Sequence, residues 1–281
     1  MPVLLSRRRA LTLLSLAGAS LALPPLARAA VTLDDIKQSG VLRIGCEATY
    51  PPFTFREAGE IVGYDVDLAA IMAQTLGVEP QFIDTQWSGI IPALYAGRFE
   101  IIMSSMSYKK ERLERVAFSI PYAEASQALL IRAEDQNTIT SLDGMSDRVM
   151  GVKLGSPGET IQVDIHKDLE SRLGQGFKDV KIYDDHPAAY LALAQGSVDG
   201  VLNTLPTLGQ VLKDRPGRYA IVRGVGQQNW AGIAARQEDT EIVQFLDAEL
   251  KRLKDNGEIY ALQEKWFGFE MDLADDIPSF A

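Results

Sequence analysis

Short apolar runs alternate with longer amphipathic stretches along most of this chain. That alternation limits the fold to strands joined by helical crossovers. "VLRIG" (41–45), "VEPQFID" (78–84) and "FEIIM" (99–103) read as strands. Between the first two, "GYDVDLAAIMAQTLG" (63–77) sets Tyr64, Leu68, Ile71, Met72 and Leu76 at near-helical spacing. Asp65 and Asp67 suit the positive N-terminus of that helix, and Gly77 marks its stop. "WSGIIPALYAG" (87–97) reads as a helix with Trp87, Ile90, Ile91 and Leu94 on one face. "YPPFTF" (50–55) reads as a loop, because Pro51-Pro52 continues neither a ladder nor a helix. Strands alternating with helices predict parallel sheets and an α/β class.

The pattern then restarts. "QALLIRA", "VMGVKLG", "VKIY" and "VDGVLN" are strands, interleaved with "SLDGM", "SPGETIQVDIHKDLES" and "HPAAYLALAQG" as helices. "YAIVRGV" and "WAGIAA" follow, and two helices close the chain. In the first of these Ile242, Phe245, Leu246, Leu250 and Leu253 form the buried stripe, stopped at Asn256-Gly257. Two α/β units with a returning C-terminal segment predict two lobes linked by crossover strands. One cleft then lies at the carboxyl ends of the strands, where ligand sites of α/β sheets form.

Residues 1–29 carry the basic run Arg7-Arg8-Arg9, an apolar stretch and the small-x-small ending Ala27-Arg28-Ala29, the pattern of an export signal cleaved after Ala29. "SRRRAL" resembles a twin-arginine start but has Ala10 and Thr12 at favoured Phe and Lys positions, so Sec and Tat both stand. Cleavage removes Arg7, Arg8, Arg9 and Arg28, taking the net charge from −10 to about −14. A chain this acidic has no electrostatic footprint for nucleic acid. The expected location is the periplasm. Cys46 is the only cysteine, so no intrachain disulfide forms, and a buried free thiol is its expected state.

"SSMSYKKER" (104–112) leaves the apolar "FEIIM" run and at once presents three hydroxyl residues followed by basic ones. It is either a polar turn with a solvated helix face or a cradle for an anion. The chain resembles the periplasmic polar amino-acid-binding proteins of ABC importers, solute-binding protein family 3. "LRIGCEATYPPF", "GYDVDLAAIMAQTLG", "WSGIIPALYAGRFEIIMSSMS", "ERVAFSIPY", "GVKLGSPGE", "GSVDGVLN" and "EKWFG" match its landmarks in order. The resemblance implies a type II periplasmic-binding-protein fold, each lobe a mainly parallel sheet flanked by helices, with two hinge strands. It places lobe one at 30–128 and 226–281 and lobe two at 129–225. It also implies a monomer that closes on a solute and delivers it to an inner-membrane ABC permease.

The resemblance carries a carboxylate clamp onto Ser105, Ser107 and Arg112. A planar guanidinium takes a carboxylate bidentately, by charge-assisted bonds about twice as strong as neutral ones. Lys109, Lys110 and Arg115 read as solvated decoration. In "KLGSPGET" a glycine turn opens a helix whose free N–H groups attract anions, with Ser156 as either cap or ligand contact. Pro157 departs from the family's usual hydroxyl residue and removes a donor.

Thr204 is the larger departure: amino-acid binders place there an aspartate that holds the α-ammonium. Either the solute lacks an ordinary α-amino group or another acid substitutes, with Asp184 and Asp185 as candidates. Glu47 and Tyr50 fall where relatives that take cationic side chains keep an acid and an aromatic. Trp87 covers the ligand or packs in the core. Together Glu47, Tyr50 and Trp87 are predicted to hold a cationic or quaternary nitrogen. Tyr122, Trp230 and Phe53 read as packing residues.

The expected function is thus a solute-binding component for an amino acid or amino-acid-like carboxylate, without metal, cofactor or catalysis. Two alternatives stand. One is a periplasmic dehydratase of a cyclic carboxylic acid, with Glu47 or Glu159 as general acid. The other is a sensor or accessory module on the same fold. His166 and His186 are the only histidines, and no HExxH, CxxC or G-x-S-x-G accompanies them.

Overall fold

Parallel strands need crossovers, and the first of these here is the helix Tyr64–Leu76. It carries the chain from Val41–Cys46 to Glu79–Asp84, which pair in parallel along six residues each. The computed structural model describes residues 30–279; the export signal expected at 1–29 lies outside them. Gly63 opens the helix at φ 136°, and a Cβ there would sit 2.1 Å from the Phe53 carbonyl oxygen. Only glycine fits. The helix buries Tyr64, Leu68, Met72 and Leu76 against the sheet, while Ile71 stays half-buried.

Ile101–Ile102 joins the other side of Val41–Cys46 in parallel. Ala234–Ala235 then pairs antiparallel to it and to Ala117–Phe118. The "FEIIM" strand is thus shorter than its apolar run. Apolar clusters cover this sheet, one around Leu42, Leu68 and Leu246 and one around Leu94, Phe99 and Phe118.

A second five-stranded sheet repeats the arrangement. Asp179–Tyr183, Val149–Lys153 and Gly200–Thr204 run parallel. Gln127–Arg132 pairs antiparallel to Gly200–Thr204, and Tyr219–Val225 antiparallel to Gln127–Arg132. In each sheet the fourth strand belongs to a segment that has crossed from the other: Gln127–Arg132 outbound, Ala234–Ala235 returning. The crossing segments pair with each other, Ala123–Glu124 against Trp230–Ala231.

Two local expectations differ, and the expectation of a buried Cys46 holds. "YPPFTF" contributes to a small antiparallel sheet of Thr49–Tyr50, Thr54–Glu57 and Glu60–Val62. The two prolines occupy only the turn, leaving the flanking N–H groups free to pair. The segment at 87–95 begins as a 3₁₀ turn, Trp87–Gly89, before the helix Ile90–Tyr95, and Trp87 packs partly against the Leu94 cluster while also lining the cleft. Cys46 is fully buried beside the carboxyl end of its strand, where burial raises its thiol pKa.

Candidate functional site

The chain leaves Ile101–Ile102 at the carboxyl end of the first sheet, and Ser104–Ser107 wrap that end. Ser104 Oγ accepts the Glu47 amide at 3.1 Å, tying this loop to the end of Val41–Cys46. Ser105 holds φ 48°, and its amide donates to the Tyr122 hydroxyl at 2.8 Å. Arg112, on the one-turn helix Lys110–Leu113, reaches back over the loop. Its Nη1 donates to the Ser107 carbonyl at 2.8 Å and Ser107 Oγ at 2.9 Å. Its Nη2 crosses to the Gly155 carbonyl of the opposite wall at 2.9 Å. The guanidinium lies 5.1 Å from the Trp87 ring centroid. Burial lowers its pKa to about 10, partly offset by Glu111. Arg112 is 7% exposed, yet among the described residues no carboxylate pairs with it. This is a buried cation with spare donors and no counter-charge.

The opposite wall grows from the carboxyl ends of Val149–Lys153 and Gly200–Thr204. Gly155, at φ 70°, turns the chain into the helix Pro157–Leu173. Ser156 caps that helix, its Oγ accepting the Glu159 amide at 3.2 Å. The Glu159 carboxylate accepts the Gly155 amide. Lys109 spans the walls, donating to the Ser156 carbonyl at 2.8 Å and Thr160 Oγ1 at 2.7 Å. It is not solvated decoration, because its stem lies over the closed seam and its ammonium is consumed there. Burial lowers its pKa to about 8.

Thr204 sits inside a hydroxyl network. The Tyr50 hydroxyl lies 2.9 Å from both Asn203 Oδ1 and Thr204 Oγ1, and Thr204 Oγ1 donates to Thr207 Oγ1 at 3.1 Å. Burial raises the Tyr50 phenol to about 12. His186 packs against Tyr50 and Tyr190, and burial holds its imidazole pKa well below the usual range. Asp185 is the N-cap of the helix His186–Ala194, accepting the Ala188 amide at 2.8 Å. Its carboxylate is thereby committed to the helix end.

Lys153 ends its strand pointing into the cleft at 3% exposure and pairs with Glu47, the residue just past Val41–Cys46. Its ammonium lies 4.8 Å from the Trp87 centroid and 5.6 Å from the Tyr50 centroid. The cation that Glu47, Tyr50 and Trp87 surround is therefore the chain's own. Burial raises the Glu47 carboxyl and lowers the Lys153 ammonium, and their attraction opposes both shifts.

Glu47, Tyr50, Trp87, Ser107, Ser156 and Thr204 line one cavity, which leaves only about 20 Å³ between them. That is room for about one water. The cleft is closed. Arg112 borders it through Ser107 and Trp87, whereas Ser105 is not among its lining residues. A larger cavity of about 610 Å³ opens along Tyr108, Ile161 and Val225, but no fully buried charge lines it. Lys153, Ser104, Gln127 and His186 also line the cleft and were not singled out from sequence. Lys153 left one signal: a lysine closing an apolar strand at its carboxyl end, where α/β ligand sites lie. Among the described residues no cluster of three His, Cys, Asp or Glu side chains could hold a metal, and no helix is long and apolar enough to cross a membrane.

Comparison with known proteins fits this geometry. The family model described as bacterial extracellular solute-binding proteins, family 3, matches residues 42–269. The L-cystine-binding protein TcyJ of Escherichia coli K12 is 28% identical, covering 85% of this chain and 87% of that protein. The putative ABC transporter arginine-binding protein 2 of the same organism is 31% identical, covering 80% and 90%. Among solved structures, the ancestral amino acid-binding protein AncCDT-1, a precursor of cyclohexadienyl dehydratase, superposes with TM-score 0.76 at 31% identity, covering 84% of this chain and 99% of that one. A mutant of ArgBP from T. maritima gives 0.74 at 33%, covering 85% and 100%.

Proposed function

The chain belongs to the bacterial extracellular solute-binding proteins, family 3, and from that premise we propose that it captures an amino-acid-like carboxylate between its two sheets. The closed form is then presented to an ABC permease. The observation that carries this reading is Arg112, a buried guanidinium that bonds both walls and makes no ion pair among the described residues. A carboxylate on its free N–H groups supplies the missing charge. Lobe one comprises 30–128 and 226–281 and lobe two 129–225, hinged at the paired crossing strands. The solute contacts both lobes only when they meet, so binding favours closure. Ser107, Ser156 and Thr204 complete the clamp, and Thr204 in place of an acid favours a solute without an ordinary α-ammonium.

Export removes residues 1–29 by the Sec or Tat route, and the mature protein works in the periplasm as a monomer. Its acidity argues against nucleic acid as a partner. Binding rather than catalysis is supported by the two carboxyls closest to a general-acid role. Glu47 is engaged by Lys153 and Glu159 by the Gly155 amide, so neither is poised over a substrate.

The test is thermal unfolding of the mature protein, stripped of bound solute, against amino acids, betaines, cyclic imino acids, opine-like conjugates and plain carboxylates. Solute at 100 times its Kd adds about 2.7 kcal/mol, several degrees for a chain this size. A carboxylate that stabilises and is recovered unchanged supports the reading. Turnover of a cyclic carboxylic acid, or no response to any carboxylate, overturns it.

A further inference from the structure

Lys153 occupies the place where a cationic solute end would sit, and its surroundings explain what it is for. Its ammonium is pressed between the Trp87 and Tyr50 rings and paired with Glu47. An ammonium, an acid and two aromatic faces form a complete cation site. A solute cation can enter only by expelling a tethered one, which competes at very high effective concentration because it is part of the chain.

The hydrogen-bond capacity left over is of one kind. An ammonium carries three donors, and Lys153 Nζ has one hydrogen-bond acceptor among the described residues, Glu47. A guanidinium carries five donors, and Arg112 makes three bonds, to the Ser107 carbonyl, Ser107 Oγ and the Gly155 carbonyl. Both cations lean on the same indole ring, and the Arg112 charge disfavours that of Lys153. Glu47 is the one acid lining the cavity. Two buried cations with spare donors and a single acid between them call for an anion at each end of the solute.

We propose that Lys153 is the specificity-determining residue of this cleft, making it select a solute with two acidic groups, one on Arg112 and one on Lys153, and exclude solutes with a cationic end. This rests on the reading of the cleft as the solute site. When the second carboxylate arrives, the Lys153 ammonium shares its free donors with it while keeping Glu47 as a partner, so the pair is not broken. Thr204 is consistent with the same selection, since no acid stands opposite Arg112 to welcome an ammonium there.

The experiment is isothermal titration of the mature protein with the dicarboxylates from succinate to pimelate, with the matching monocarboxylates, and with L-arginine. The wild type is expected to bind at least one dicarboxylate tenfold or more tighter than its monocarboxylate and than L-arginine. Lys153→Met is expected to erase the advantage of the second carboxylate by tenfold or more and to improve L-arginine. Glu47→Gln, which frees the ammonium, is expected to tighten the dicarboxylate several-fold and leave L-arginine without binding. The two variants change one ion pair and move dicarboxylate affinity in opposite directions, which general damage does not do. Where Lys153→Met does not fold, Lys153→Gln and Glu47→Gln carry the test. Monocarboxylate or L-arginine binding that depends on Arg112 but not on Lys153 overturns this inference and leaves the binding function standing. No binding of any carboxylate overturns both.

Discussion

Replacing Arg112 by alanine separates what the cleft does for the solute from what it does for the fold. The side chain makes three hydrogen bonds, all to uncharged oxygens, and one of them joins the two walls. Among the described residues its charge has no ion-pair partner, and burial already lowers its pKa to about 10. Truncating one partner of a buried, hydrogen-bonded charge pair costs about 2–5 kcal/mol of binding. At 1.4 kcal/mol per tenfold, that is roughly 30-fold to several-thousand-fold in Kd. The solute-free protein loses less. It forfeits charge-assisted bonds worth about 1.5–3 kcal/mol each, but it also sheds a buried unpaired cation, whose desolvation offsets much of that. Solute affinity by calorimetry is therefore expected to collapse, while the unliganded Tm moves by only a few degrees. Arg112→Lys is expected to recover only part of the affinity, since a point charge lacks the planar fork. An Arg112→Ala protein that binds the wild-type solute within threefold would refute the clamp.

Two further changes address charges placed or displaced by burial. Thr204→Asp puts a carboxylate within reach of the Tyr50 hydroxyl and is expected to create or improve binding of an α-amino acid by about 1.5 kcal/mol or more. Calorimetry with a panel of L-amino acids checks it, and no gain for any of them sinks the assignment of that position. Asp65 is fully buried, and burial raises its carboxyl to about 7, opposed by the Tyr122 hydroxyl and the Ser105 amide. A folded pKa above the unfolded one means the native state binds the extra proton. Its contribution is full below about pH 4, is lost as pH rises toward 7, and is flat beyond. Asp65→Asn is expected to stabilise the protein at pH 8 by up to ~4 kcal/mol and by little at pH 4. Urea melts at the two pH values measure it, and an equal effect at both would contradict the buried-carboxyl account.

The α/β class was legible because the apolar pattern changes period from strand to helix, a local property of residues such as Tyr64, Leu68, Met72 and Leu76. Helix ends were legible for the same reason, since Gly77 and Ser156 act on their own backbone neighbours. The strands flanking Pro51-Pro52 were missed because they pair with each other across the prolines and only Thr54–Glu57 gains a further partner, Glu60–Val62, which carries no strong signal of its own. Trp87 was legible only as two alternatives, over the cleft or in the core. It does both: it starts a 3₁₀ first turn, packs partly against the Leu94 cluster, and lines the cleft, where its Nε1 donates to the Gly155 carbonyl.

By itself, then, the order of residues determined which segments are strands and helices, where they stop, and that the strand ends would carry hydroxyls, a guanidinium and an acid. These follow from interactions over a few residues, which a string of letters contains. Only the tertiary structure decided what each charge faces. Lys153 and Glu47 are 106 positions apart and lie at strand ends of different sheets, and they meet only because closure stacks one set of strand ends on the other. The same closure sends Lys109 across the seam and, among the described residues, leaves Arg112 without an ion pair. Charge pairing across a cleft depends on distances set by the whole fold. The cation expected of a solute was therefore found to be the protein's own.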